Sequence, residues 1–281
     1  MSKHYLRMNR YSWEKWFEWE MILPFLAGML VFWLWDRFLW PYRHQVYAWV
    51  FQTRRDDRIG DVVATDLELN RKGYALGYSY KRKAPLWVSY IISRASKNID
   101  WDRTEHFEAD LDIPTAYRVD PSDYTRSGYD KGHLAPSSAI DFSKRSNQET
   151  FLMSNVVPQH PQLNRQAWRS LENQVQNWVQ ERGRLMVVTG PLFAPRNKRV
   201  NELTIPNSFY KIVYSPKHMR AIGFLFPNEP VKASSLWDHV FSVSELEEMT
   251  GYTFLNKLSS RKQRLAKQLD LNWWQMEWET D

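Results

Sequence analysis

Polar and apolar positions follow two regimes along this chain. Between Met21 and Trp35 no residue is charged, and the run reads MILPFLAGMLVFWLW. From Leu67 onward, short apolar blocks alternate with polar turns, the pattern of a globular domain. Residues 74–80 and 86–93 are aromatic and β-branched, and the polar stretch between them predicts a hairpin. Residues 151–155 read as a short strand. Residues 185–189 are apolar and run into Gly190-Pro191, which predicts a buried strand. Residues 209–214 and 219–226 predict a second hairpin around Ser215-Pro216. Residues 244–250 predict a short helix with a serine cap and Gly251 beyond its end.

The clearest helix starts near Asn164. Trp168, Leu171, Val175 and Trp178 follow it at steps of four, three, four and three, which places them on one stripe. Asn164 shares that stripe and is expected to point toward the core, where a polar group needs a partner. Glu172 falls on the flank of the stripe. Trp168 and Trp178 read as core residues.

The uncharged N-terminal run is short for a membrane span. Its fifteen residues would cover about 22 Å as a helix, against a hydrocarbon core of roughly 30 Å. Extension to Trp40 gives sufficient length, with Asp36 and Arg37 near one end and tryptophans flanking. A cleaved leader is disfavoured, because no small-x-small site follows. A buried or interfacial helix stays open, given Pro24. The preferred expectation is a single uncleaved anchor. Basic residues on both sides leave its orientation open. The expected organisation is an N-terminal flank (1–20), a transmembrane or interfacial helix (21–40), a stalk (41–61), a catalytic domain (62–256) and a basic, Trp-rich C-terminal helix (257–281). That last helix is expected to dock on the domain rather than lie on a membrane.

Composition narrows the chemistry. Cysteine is absent, which excludes disulfides, thiolate zinc sites and a cysteine nucleophile. The net charge of +6 suits a polyanion or an anionic surface, although many proteins are this basic. Residues 129–137 read YDKGHLAPS. Gly132 permits a tight backbone beside His133, whose imidazole can take a proton near neutral pH. Phosphodiester hydrolysis needs such a base, a cation at the leaving oxygen and a positive group on the phosphate. His133, a hard metal ion at Asn164, and Lys131 or a nearby arginine would supply the three. Each has an ordinary alternative: a structural histidine, a helix-capping asparagine, a surface lysine. His106, His218 and His239 lack metal-ligand spacing and read as structural or surface residues, with His160 the exception by its position.

With these residues in view, the chain resembles the DNA/RNA non-specific endonucleases, the group that includes endonuclease G. The family signature Asp-Arg-Gly-His followed by Pro stands here as Asp130-Lys131-Gly132-His133 with Pro136. A second block reads SNVVPQHPQLNRQAWRSLE, from Ser154 to Glu172. GYALGYSY, PLWVSYIIS, VVTGP, IPNSFYK and SVSELEEMTGYTF support it. The resemblance spans roughly residues 73–254. It implies an α+β fold, a ββα-metal nuclease unit set around a mainly antiparallel sheet. It implies that His133 activates water, that Asn164 binds one Mg²⁺ or Mn²⁺ with waters completing the shell, and that Glu172 orients one of those waters. Asn155 would support the site, and Lys131 and Arg103 would contact phosphate. Lys131 departs from the signature arginine, keeping the charge but losing the planar fork. The implied partners are DNA or RNA, together with a membrane for the N-terminal helix; a homodimer is admitted but not required. The catalytic domain would then lie outside the cytosol. The competing reading is a non-catalytic, membrane-anchored nucleic-acid-binding module. A phosphodiesterase for small nucleotides or lipid headgroups is a third.

Overall fold

The structure, a computed structural model, describes residues 62–94 and 106–276. The expected anchor, the stalk and Arg103 lie outside the described residues. Among the described residues no helix is long and apolar enough to cross a membrane.

The strands follow in chain order: β1 Leu67–Asn70, β2 Tyr74–Ser79, β3 Ala84–Ile92, β4 Asp130–His133, β5 Val156–Gln159, β6 Leu185–Leu192, β7 Arg199–Val200, β8 Leu203–Thr204, β9 Ser208–Ser215, β10 Arg220–Pro227 and β11 Val240–Phe241. The main helices are α1 Lys144–Glu149, α3 Val243–Thr250, α4 Ser260–Lys267 and α5 Leu271–Gln275. Between α1 and α3 lies α2, a composite helix. It comprises Pro161–Leu163, the π-helical segment Asn164–Trp168 and Arg169–Arg182.

A seven-stranded sheet in the order β1-β2-β3-β6-β9-β10-β11 forms the frame, and its neighbouring strands are antiparallel throughout. Both faces are covered, which explains the unbroken apolar sequence of β6. Leu185 and Val187 turn toward α2, with Val88, Tyr90, Phe209, Val213 and Phe224. Met186 and Val188 turn the other way, toward Val243 and Leu246 of α3 and Ala266 of α4. The period-two alternation of a strand thus sorts one hydrophobic run into two cores.

Both expected hairpins form, β2–β3 and β9–β10. Helix α3 begins one residue earlier than its pattern suggested. Ser242 caps it in a reciprocal box with Glu245, and Gly251 ends it in the left-handed region that glycine adopts without penalty. The strand expected over 151–155 is absent. Met153–Asn155 forms a 3-10 turn and the strand starts at Val156. The cause is Asn155, whose side chain bonds to the backbone of Thr150 and Ala135 and so bends the segment out of an extended run.

Strands β4 and β5 pair in a separate two-stranded ribbon, with His133 opposite Val156 and Asp130 opposite Gln159. Helix α2 follows β5 directly. The two-strands-then-helix unit is therefore present, docked on the sheet by Leu163, Trp168, Leu171, Val175 and Trp178.

The C-terminal segment forms two short helices, α4 and α5, and the second docks on the end of α2. Trp274 is fully buried, with its ring 4.6 Å from that of Trp178. The Trp178 indole donates to the Trp274 carbonyl at 2.8 Å. The buried Arg182 guanidinium donates to the carbonyls of Trp273 and Met276, both at 2.9 Å, and pairs with Glu181. Truncating Trp274 to alanine removes a large buried side chain and should cost about 3–5 kcal/mol. The expected fall in Tm, read by thermal denaturation, is roughly 10 °C. A fall below about 2 °C would show the tail to be peripheral.

Candidate active site

Strand β4 sets the site by alternation. Lys131 and His133 leave one face of it, Asp130 and Gly132 the other. Gly132 is required by close approach, since a Cβ there would stand 2.4 Å from Oε1 of Gln159 on the paired strand. Any other residue would force the β4–β5 ribbon apart.

On the first face Phe107 joins the two functional side chains. Its ring lies 5.1 Å from the His133 ring, and the Lys131 ammonium lies 5.0 Å above it. Phe151 closes the other side of His133, edge-on at 5.0 Å. A parallel bridge between Glu108 and Leu152 brings the two phenylalanines together. This apolar enclosure disfavours the imidazolium, and burial pulls the His133 pKa from 6.5 down to about 4. His133 is therefore neutral at physiological pH. Its Nε2 is buried and meets no hydrogen-bond partner among the described residues.

Asn155 anchors the loop that follows His133. It is fully buried, its Oδ1 accepts from Ala135 N at 3.0 Å, and its Nδ2 donates to the carbonyls of Ala135 and Thr150. Its backbone carbonyl accepts from Leu134 N. Each polar group of the side chain has a backbone partner, which fixes the loop that follows His133.

The second face of β4 holds the start of α2. The Asn164 amide donates to Asp130 Oδ2 at 2.9 Å, and Arg165 donates to both Asp130 oxygens at 2.8 and 2.7 Å. Burial raises the Asp130 carboxyl, but these hydrogen bonds and the positive charges of Arg165 and His160 outweigh it, and the net shift is downward. The expectation that Asn164 faces the core is corrected here: it is half-buried and turned to Asp130. The π-helical turn takes more residues per revolution, so the phase of the stripe slips, and Leu163 takes the core position instead. The Asn164 carbonyl oxygen has no protein partner among the described residues. His160 caps the helix, its Nδ1 accepting from Gln162 N at 3.2 Å. His106, His218 and His239 lie elsewhere, against Glu108, Ser215 and the Leu225 carbonyl.

Glu172 sits about two turns further along α2. Sequence reasoning missed its partner. Lys211 of β9 is fully buried, shares the α2-facing side of that strand with Phe209 and Val213, and reaches Glu172 Oε1 at 3.4 Å. Its ammonium lies 4.1 Å from the centre of the Trp168 ring. Burial raises the Glu172 carboxyl and lowers the Lys211 ammonium, and each charge opposes the shift of the other. The structure thus groups His133 with Lys131, Asn164 with Asp130 and Arg165, and Glu172 with Lys211. Strand β4 and helix α2 hold the first two groups, and α2 with β9 holds the third.

The model of the family described as DNA/RNA non-specific endonuclease matches residues 60–261. The chain belongs to the DNA/RNA non-specific endonucleases. A nuclease of Nostoc sp. is 34% identical over 66% of this chain and 72% of that protein. The mitochondrial nuclease of Saccharomyces cerevisiae is 31% identical over 72% and 69%, and human mitochondrial endonuclease G is 29% identical over 68% and 70%. A crystal structure of an EndoG/EndoGI complex, solved for the mechanism of EndoG inhibition, matches with a TM-score of 0.67 at 25% identity. The match covers 76% of this chain and 94% of that one. The endonuclease fold is thus the mixed α/β fold, with a mainly antiparallel sheet, seen in that structure. The family match over residues 60–261 includes β4, β5 and α2.

Because the His133 pKa is depressed, folding stability is present above pH 6.5 and is lost as pH falls toward about 4. NMR titration of the His133 ring should give a midpoint near pH 4. Phe107→Ala admits water and should raise the midpoint toward 6.5. A wild-type midpoint at 6.5 would contradict the enclosure.

Proposed function

We propose that this endonuclease hydrolyses DNA or RNA phosphodiester bonds with His133 as general base and one divalent cation, Mg²⁺ or Mn²⁺, at Asn164. The observation that carries the reading is the neutral His133 imidazole on the same face of β4 as Lys131, whose ammonium lies over the Phe107 ring that flanks the imidazole. A neutral imidazole accepts a proton from water at physiological pH without first losing one. Lys131, on the same face, takes a phosphate oxygen as a point charge.

The residues fit a hard cation. Asn164 offers a neutral carbonyl oxygen, and its amide is oriented by Asp130, as an outer partner orients a metal ligand. Among the described residues no group of three or more His, Asp and Glu gathers for a metal. An ion held here keeps several waters, which is the habit of Mg²⁺. When bound, the cation supplies charge neutralisation at the leaving oxygen. Asp130 and His133 stand at the two ends of β4, about 10 Å apart along the strand. Glu172 orients water from the helix side.

His133→Ala should lower plasmid cleavage by about 10²- to 10⁴-fold while nucleic-acid binding persists. EDTA should abolish cleavage by the wild type. Unchanged cleavage in His133→Ala would remove the base from the mechanism, and absence of metal-dependent cleavage in the wild type would favour the non-catalytic binding module.

The 21–40 segment is proposed as a single-pass anchor that keeps the nuclease domain outside the cytosol. Its support is the uncharged run with flanking tryptophans, and a tether protects the host's own nucleic acid from a non-specific enzyme. The full chain should stay with membranes in alkaline carbonate and leave them only in detergent. Release by carbonate alone would count against a span.

A further inference from the structure

Lys211 is a charge in a place where charges are costly. It stands in the middle of a seven-stranded sheet, on the face that otherwise carries Phe209, Val213 and Phe224, and its side chain is fully buried. A buried ammonium survives only when paired. Its ion-pair partner is Glu172 at 3.4 Å, and the Trp168 ring at 4.1 Å supplies the remaining attraction. Glu172 keeps 19% of its side chain exposed, so one end of the pair is sealed and the other opens outward. Tyr90 on β3 and Arg169 on α2 are the other ionisable groups that sense this carboxylate. A mere structural filler of that sheet position would be apolar, like its neighbours on the same face. A cation aimed at the sequence-expected water-orienting residue has a different purpose.

We propose that Lys211 is a positioning residue for the reaction: it holds the Glu172 carboxylate ionised and aimed outward from the sheet, acting on catalysis only through Glu172. The proposal rests on the role given to Glu172 in the reading above. Lys211 itself reaches neither substrate nor ion, because it lies behind Glu172 and beneath Trp168.

A double-mutant cycle on the full chain in detergent tests this, using Lys211→Met, Glu172→Gln and the double variant, with Mg²⁺-dependent plasmid cleavage and Tm as readouts. Lys211→Met preserves the length of the side chain and removes the charge. It should lower kcat about 10- to 100-fold, the usual effect of removing an outer partner, with KM little changed. Glu172→Gln should lower kcat at least as far. The double variant should cleave no more slowly than Glu172→Gln, because the effect of Lys211 passes through the residue already removed. In Tm the order differs. Glu172→Gln strands a buried ammonium and should lose stability, and adding Lys211→Met should restore part of it. Wild-type kcat in folded Lys211→Met overturns the proposal, as does a double variant whose loss is the product of the two single losses. If Lys211→Met alone fails to fold, the double variant compared with Glu172→Gln decides on the same criterion. Absence of cleavage by the wild type sinks the nuclease mechanism itself and this proposal with it, whereas an active wild type with an indifferent Lys211 sinks this proposal alone.

Discussion

The Asp130 carboxylate is the joint of this molecule. It begins the strand that carries His133 and accepts hydrogen bonds from Asn164 and Arg165 at the start of α2. Through it, the relative placement of strand and helix becomes a matter of three hydrogen bonds with charge behind them. Behind the joint, Gly132 lets β4 and β5 approach, and Leu163, Trp168 and Leu171 seat the helix on the sheet. His133 is thus held on one side of the joint and the Asn164 side chain on the other. Asp130 adds direct side-chain hydrogen bonds between β4 and the start of α2 to the backbone pairing of β4 with β5.

Around that joint the protein uses burial to set charge. Phe107 and Phe151 flank His133, and the burial they impose keeps the imidazole neutral. The same burial that would neutralise Glu172 is countered by an ammonium placed behind it. The structural expense is visible as well: a buried lysine in a sheet, a strand confined to glycine at one position, and a helix with a π turn at Asn164.

Much of this was legible in the sequence because it is local. The hairpins 74–92 and 208–227 announced themselves by period two, and α2 by its tryptophan and leucine stripe. His133, Asn164 and Glu172 were singled out from two short blocks that resemble the family's own. What escaped was set by tertiary contact. The π turn rotates Asn164 out of the core stripe, and no periodicity rule anticipates it. Phe107 and Phe151 look like ordinary core residues until a single bridge sets them around the imidazole. Lys211 sits in IPNSFYKIVY, where strand alternation alone would have placed it on the same face as Phe209 and Val213. Read that way, a lysine in an apolar series was a signal that a carboxylate had to be nearby. The strand expected at 151–155 failed because an asparagine's short side chain competes with the sheet for the backbone.

The central claim is that one cation sits on Asn164, held in place by Asp130, independently of the base. Calorimetric titration of the full chain with Mn²⁺ in the absence of nucleic acid tests it most directly. The account predicts a single site in the wild type, an equal site in His133→Ala, and loss of that site in Asn164→Ala with the fold retained. An undiminished Mn²⁺ site in folded Asn164→Ala would contradict it.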